Sequence, residues 1–364
     1  MALHLKLRET YVLRRKNVKE SFSLMNNYYE QKQHQQSIKL NSTLAKLPQF
    51  CRQFIIGIKN TTQISTQLRY TRDLIPFFQY FSEKRQCEIC NMSVHILDTI
   101  TAAEIEQYLF HLQNYTDCSG HIRSNGRVGI KSKLSAIRAL YRYCFHHQLI
   151  SFNTSELVDI PVIEKKLIKR LSTEQVEDVL KNIESGIYLS NKEYAWNKIL
   201  RVRDYALMSL LLGTGIRVSE CVGIDNYDID FLYCYVKIVR KGGKEDRIYF
   251  SDEVCNALLK YKQQREQITA KNPLDATAFF LSKNRTRLSV RAIQNITHKY
   301  TRHINEVSPH KLRATYATNL YVATKDIYYV SNVLGHSSVE TTKKYYAEVP
   351  DELKRNMRNT LKLR

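Results

Sequence analysis

Apolar residues recur at helical spacing through most of the chain. Ile105, Tyr108, Leu109 and Leu112 form one stripe, and Thr101 followed by Glu104 is a capping box that opens this helix at Ala102 and carries it to Gln113. Leu134, Ile137, Leu140, Tyr141 and Cys144 form a second stripe, on a helix spanning about 131–147. An earlier helix is expected from Ser65 or Thr66 through Leu68, Ile75 and Phe78, with Pro76 as a kink point. Ser172 with Gln175 is another capping box and starts a new helical series. The stretch 185–202 reads as an insertion ahead of an apolar helix from Asp204 to Leu212. The period changes once. Tyr233 to Arg240 is rich in β-branched and aromatic residues, Lys241-Gly242-Gly243-Lys244 interrupts it, and Arg247 to Phe250 resumes it, which predicts a β-hairpin with a Gly-Gly turn. Helical spacing returns over 251–267 and 290–301 and continues onward.

These elements divide at 156–171, a segment without helical period that contains Pro161 and the charged run from Glu164 to Arg170. The expected organisation is a basic N-terminal extension over 1–44, with a Gln/His patch at Gln31 to Gln36, then a helical domain over 45–155. A linker over 156–171 follows, and a second domain over 172–364. With 11 glycines and 6 prolines in 364 residues, the chain is too poor in turn-formers for an all-β fold. The fold class is mainly α, with one small β-hairpin or sheet.

Charge narrows the class of partner. Lys and Arg number 56 against 35 Asp and Glu, a formal net charge of +21, which points to a polyanion, nucleic acid ahead of an anionic membrane surface. The start of the chain mixes charge into every short apolar stretch, so no signal peptide is expected. The run from Ala206 to Ile216 is too short to cross a bilayer and holds two glycines, so membrane insertion is not expected. Eight cysteines scattered along a long chain read as free thiols in a reducing cytoplasm. Cys87-x-x-Cys90 with His95 nearby has no second CxxC, and ordinary thiols rather than a metal site are expected. Lys131, Lys133, Arg138 and Arg142 make one surface of the 131–147 helix basic, either as a solvated face or as a set of DNA phosphate contacts.

Three segments carry candidate chemistry. In Gly213-Thr-Gly-Ile-Arg217-Val-Ser-Glu220 the glycines break the apolar helix and aim Arg217 away from the core, with Glu220 in reach to hold its guanidinium. A Walker Lys-Ser/Thr is missing, which sets nucleotide binding aside. In Ser308-Pro-His310-Lys-Leu-Arg313, Ser308 is a natural N-cap and Pro309 a natural first helical residue, so His310 and Arg313 share a face near an anion-attracting helix terminus. In Leu334-Gly-His336, followed nine residues later by Tyr345, a histidine stands just past a helix-ending glycine.

Taken together, these residues resemble the tyrosine recombinases of the phage integrase family. The resemblance rests on Arg217, Lys241 at the hairpin 24 residues later, His310-x-x-Arg313, Leu-Gly-His336 and Tyr345, in that order. It covers about 172–350, and extends more loosely to the helical pattern of 45–150, which is similar to the family's SAM-like core-binding domain. Arg240-Lys-Gly-Gly-Lys-Glu-Asp and Pro309-His-Lys-Leu-Arg-Ala-Thr look most like the Xer recombinases, the single-protein XerS form in particular. Two features depart from the pattern. Ala314 stands where members often carry His, and Tyr346 adjoins Tyr345, so the nucleophile is Tyr345 by spacing and Tyr346 in the alternative register.

The resemblance implies transfer of a DNA phosphodiester to Tyr345, with Arg217, Arg313 and His336 on the phosphate, His310 assisting proton movement, Lys241 as general acid and Glu220 orienting Arg217. It implies no cofactor and no metal. The implied partners are duplex DNA at a recombination site and further copies of the chain, four on two sites. The resemblance further implies that the amphipathic segment Asp351 to Leu363 docks on a neighbouring protomer, with packing on its own domain as the alternative. An accessory protein is compatible with it. The expected task is chromosome dimer resolution at a dif-like site, with integration or excision of a mobile element as the alternative. A type IB topoisomerase, a regulator built on an inactive recombinase and an RNA-binding scaffold are the rival classes.

Overall fold

The computed structural model describes residues 28–116, 120–163, 170–240, 242–304, 307–336, 338–340 and 342. The chain forms two compact units, one comprising Asn27–Lys166 and the other containing Leu167–Arg364.

The first unit is helical. It comprises α1 (Tyr28–Leu44), α2 (Phe50–Gly57), α3 (Ile64–Arg85), a single turn at Ile96–Thr99, α4 (Ala102–His111) and α5 (Arg127–His146). Phe54, Leu74, Phe77, Phe78, Phe81, Tyr108, Leu140 and Tyr141 are fully buried in one shared core. Phe77 meets Phe78, Phe81 and Tyr108 edge-on at centroid distances of 5.3, 5.0 and 5.4 Å, the arrangement that ring quadrupoles favour. The helix α3 runs through Pro76 without ending there. At the start of α4, Thr101 Oγ1 accepts from Glu104 N–H at 3.2 Å, while Glu104 Oε2 accepts from Thr101 N–H at 3.1 Å, closing the expected box.

Two expectations change here. The reading of 1–44 as an extension outside the helical domain is corrected for residues 28–44. They form α1, which packs on α3 and places Leu40 and Leu44 in the shared core. Only one narrow side of α1 is apolar, which hid its packing from a sequence reading. Within the loop after α4, Tyr115–Thr116 (β1) pairs antiparallel with Ile122–Arg123 (β2).

The second unit is built around a long helix. Its elements are α6 (Thr173–Ser185), α7 (Asn191–Thr214), α8 (Val218–Val222), β3 (Ile229–Asp230), β4 (Tyr235–Val239), β5 (Glu245–Tyr249), α9 (Asp252–Arg265), α10 (Val290–Thr301), α11 (Pro309–Thr324) and α12 (Ile327–Leu334). Helices α6, α9 and α11 pack on α7, whose Ala206, Leu207, Met208, Leu210 and Leu211 are buried on every side. The expected insertion over 185–202 is in large part the first half of α7. Ser190 and Glu193 cap it with a box, and Asn197 donates to Ile183 O and Tyr300 Oη, each at 2.9 Å. Asp204, fully buried, accepts from Arg203 Nε (2.9 Å), Lys299 Nζ (2.9 Å) and Tyr300 Oη (2.8 Å), so its charge is matched where water is excluded.

The strands form a three-stranded antiparallel sheet in the order β3-β4-β5, with Val236 opposite Ile248 and Ile238 opposite Asp246. Arg240 N–H donates to Lys244 O at 2.8 Å and Gly243 N–H to Arg240 O at 3.1 Å. Gly242 (φ 92°) and Gly243 (φ 83°) occupy the left-handed region that the turn requires. No helix among the described residues is long and apolar enough to cross a membrane.

Candidate active site

The site gathers around the end of α12. Gly335 terminates this helix in the left-handed conformation (φ 61°), with its N–H on Asn332 O and the His336 N–H on Ser331 O. The last carbonyls of a helix have no partners within it and carry the negative end of its dipole. Here three arginines supply them. Arg217 Nη2 donates to Gly335 O (3.2 Å), Arg313 Nη2 to Leu334 O (2.6 Å), and Arg240 donates to Leu334 O (2.7 Å) and Val333 O (2.8 Å).

Each arginine arrives from a different element. Gly215 ends α7 at φ 59°, and a Cβ there would stand 2.4 Å from the Tyr316 ring, so the turn that delivers Arg217 needs glycine. Glu220 Oε1 accepts from Arg217 Nη1 at 2.8 Å and its Oε2 from the Arg217 N–H at 2.7 Å, fixing side chain and backbone together. Glu220 is buried, while the Arg217 side chain keeps 36% of its surface exposed. Arg313, one turn into α11, is buried and also donates through Nη1 to Gly215 O, so it links the turn that carries Arg217 to the turn that carries His336. Ser308 begins α11 with extended backbone and Pro309 at its first position, but the expected side-chain cap is not made.

Two histidines complete the group. His310 lies on the first turn of α11, and His336 is half-buried, its Nδ1 2.8 Å from the Oγ1 of buried Thr342. Burial, followed by the charges of Arg313 and Arg217, lowers the His310 pKa below the ordinary imidazole value. The same causes, with Arg240 and His310 added, push His336 down to about 4. Both rings are therefore neutral near pH 7, each with one nitrogen that donates and one that accepts.

Arg217, Glu220, His310, Arg313 and His336 are thus brought together. Lys241, Tyr345, its neighbour Tyr346 and the segment Asp351 to Leu363 lie outside the described residues. The basic face of α5 divides. Lys131 and Arg142 are exposed, whereas Lys133 Nζ donates to Asn125 Oδ1 (2.9 Å) and Arg138 donates to Ser155 O (3.1 Å) and Val158 O, duties internal to the first unit. Arg240 is the site residue that sequence reasoning passed over. Its signal was parity, because Val236, Ile238 and Arg240 fall on the buried side of an alternating strand. Cys87 and Cys90 are free thiols.

Convergent guanidinium groups beside imidazoles are donors of the kind that suit the oxygens of an anion. Residues 169–352, half of the chain, match the model of the phage integrase family. This chain belongs to the phage integrase family. Membership makes it an enzyme of the tyrosine site-specific recombinase class. It is 28% identical over 327 residues to the tyrosine recombinase XerS of Streptococcus pyogenes serotype M6, covering 81% of this chain and 90% of that protein. It is 27% identical over 306 residues to the tyrosine recombinase XerC of Chlorobaculum tepidum, covering 80% and 88%. Among solved structures, the fold is similar to XerH site-specific recombinase bound to a palindromic difH substrate (TM-score 0.60, 20% identity, 82% of this chain and 80% of that one). It is also similar to the Tn1549 transposon integrase in complex with circular intermediate DNA (TM-score 0.57, 19% identity, 84% and 98%).

Proposed function

We propose that this family member cuts and rejoins duplex DNA through a 3′-phosphotyrosine at Tyr345, and that its task is chromosome dimer resolution at a dif-like site. The observation that carries the chemistry is the bracketing of one turn, Leu334-Gly335-His336, by Arg217 and Arg313 from two other elements. In this reading the Tyr345 oxygen attacks the phosphorus as His310 takes its proton. A phenol with a free pKa near 10 is otherwise a weak nucleophile at neutral pH. The P–O5′ bond breaks and Lys241 gives a proton to the departing oxygen. Arg217 and Arg313 neutralise the non-bridging oxygens, His336 adds a hydrogen bond, and Glu220 holds Arg217 in place. The tyrosyl ester keeps the energy of the broken bond, so attack by a second 5′-hydroxyl rejoins the strand without a nucleotide cofactor. Two DNA sites and four copies of the chain, working in the cytoplasm, carry out the exchange, and Lys131 and Arg142 contact DNA phosphates.

The dimer-resolution task is supported by relatives named XerS and XerC and by the likeness to XerH on difH. Integration or excision of a mobile element is the second reading, favoured by the likeness to the Tn1549 integrase. A suicide duplex nicked near the cut tests both. Fragments from around the replication terminus and around the gene itself are offered to the wild type, Tyr345→Phe and Tyr346→Phe. The expected outcome is a denaturant-resistant adduct on a terminus fragment that Tyr345→Phe abolishes. An adduct on the gene's own flank reassigns the task to a mobile element, loss only in Tyr346→Phe moves the nucleophile, and tight binding with no adduct on any fragment sinks the catalytic reading.

A further inference from the structure

Arg240 closes the β4–β5 turn through its backbone, and its side chain reaches from the sheet to the end of α12. Nε donates to Asp246 Oδ2 at 2.7 Å, and the two terminal nitrogens donate to the Leu334 and Val333 carbonyls at the end of α12. The guanidinium lies so close against Gly335 that a Cβ there would stand 2.4 Å from its Cζ. Glu220 Oε1, which holds Arg217, is 3.9 Å from its Nη1. An arginine needed only to pair with the sheet would be satisfied by Asp246. This one is 8% exposed and spends two of its donors on a helix more than ninety residues away in the sequence.

We propose that Arg240 is a positioning residue, pinning the base of the β4–β5 turn to the Leu334-Gly335-His336 turn and so supporting proton delivery by the next residue in the chain, Lys241. The link is one peptide unit long, since consecutive Cα atoms are about 3.8 Å apart and Arg240 immediately precedes Lys241 in the chain. A planar fork suits this task better than a lysine, because two parallel donors meet successive carbonyls while Nε–H meets a carboxylate. The inference rests on the reading of Lys241 as the proton donor to the 5′ oxygen.

A sulfur atom in place of the bridging 5′ oxygen tests it. The P–S bond breaks to leave a thiolate, and a thiol with a pKa near 8.5 departs without the proton that an alkoxide requires. Single-turnover cleavage is measured on the oxygen and the 5′-thio suicide duplexes for the wild type, Arg240→Met, Asp246→Asn, Lys241→Ala and Arg313→Gln. On the oxygen substrate Arg240→Met is expected to lose on the order of 10²-fold, as a misplaced general acid would. Asp246→Asn is expected to lose about five-fold, the size of one weakened charge-assisted hydrogen bond. On the sulfur substrate both losses, and that of Lys241→Ala, disappear, while the loss in Arg313→Gln persists.

If sulfur restores Lys241→Ala but leaves Arg240→Met and Asp246→Asn slow, Arg240 acts on the phosphate pocket and the inference is overturned with the Lys241 reading intact. Wild-type rates for both variants on oxygen also overturn it. If sulfur fails to restore Lys241→Ala, the Lys241 reading falls and takes the inference with it. Should Arg240→Met fail to fold, Asp246→Asn decides the question, since it weakens the same contact from a half-exposed position.

Discussion

The two units bury different kinds of side chain. Among the described residues, the polar groups buried in the first unit are all uncharged, Thr43, Gln67, Thr71, Asn153, Thr154 and Ser155, beneath a core of phenylalanines and tyrosines. The second unit buries Arg203, Asp204, Glu220, Asp225, Asp230, Arg240, Arg265 and Arg313. A buried ion is a liability for stability unless every charge finds partners, and hydrophobic replacements of equal shape are often neutral or better. Buried charge in this amount is therefore tolerated for what it positions. Not all of it serves the site. Arg265 is spent on the carbonyls of Ala276, Ala278 and Ile268, which folds a loop, whereas Arg313 and Arg240 meet at Leu334 O beside the partly exposed Arg217 and His310. The contrast separates scaffold ions, saturated within the fold, from site ions grouped at one helix end that opens to solvent.

The contrast breaks most sharply at Asp204. Asp204→Asn removes the charge that matches Arg203 and Lys299 and leaves cations uncompensated in a dry interior. A loss of about 3–5 kcal/mol in unfolding free energy is expected. Chemical denaturation checks it, and the cleavage rate of the fraction that stays folded should hold near wild type. A slow but stable Asp204→Asn enzyme would move this network into the site class. Arg313→Gln should do the opposite. Cleavage is expected to fall by about 10²–10³ while the affinity for DNA changes little, because the lost donors act on charge that develops in the transition state. Equal loss of binding and of cleavage would place Arg313 with the scaffold.

In the first unit a methylene should matter only to stability. Ile137→Val, at a fully buried position on α5, is expected to lose about 0.5–1.5 kcal/mol and to leave the cleavage rate of folded enzyme unchanged. Denaturant midpoints alongside single-turnover rates measure the two effects separately.

What could be read from the chain follows the same division. The capping boxes at Thr101 and Ser172, the Gly-Gly turn, and the pairing of Arg217 with Glu220 are local, written within four residues, and the structure contains each of them. Elements whose logic is tertiary were hidden. The first half of α7 keeps Tyr194, Trp196 and Ile199 exposed, so it offers no one-sided apolar stripe and reads as an insertion despite the Ser190–Glu193 box. Helix α1 commits only Leu40, Thr43 and Leu44 to the interior, and so reads as polar. Arg240 is the clearest case. A charged residue at a strand end looks like a solvated one until α12, far along the chain, supplies the carbonyls that make its burial tolerable.

The smallest expected effect sharpens the boundary of the site. His336 is faced by Arg217 just before α8, Arg313 and His310 on α11 and Arg240 at the end of β4, and it is held down to about 4 by burial and then by those charges. His310 is lowered by burial and then by Arg313 and Arg217. For these histidines the folded protein prefers the neutral ring. As pH falls below the free imidazole value of about 6.5, the unfolded chain takes up protons before the folded one does, so stability is lost on the way down to about 4. A bound DNA phosphodiester acts in the opposite direction, because its single negative charge favours imidazolium and raises both pKa values. DNA binding is therefore expected to take up protons, and affinity at constant salt should rise by about two- to three-fold per pH unit between pH 7 and 5.5. Titration calorimetry in buffers of different ionisation enthalpy counts the protons directly. Replacing His336 with Gln should remove much of the uptake, whereas replacing His303, paired with Asp178 at 2.8 Å and outside the arginine cluster, should leave it unchanged. Equal uptake in all three proteins would mean that the phosphate does not bind against these histidines.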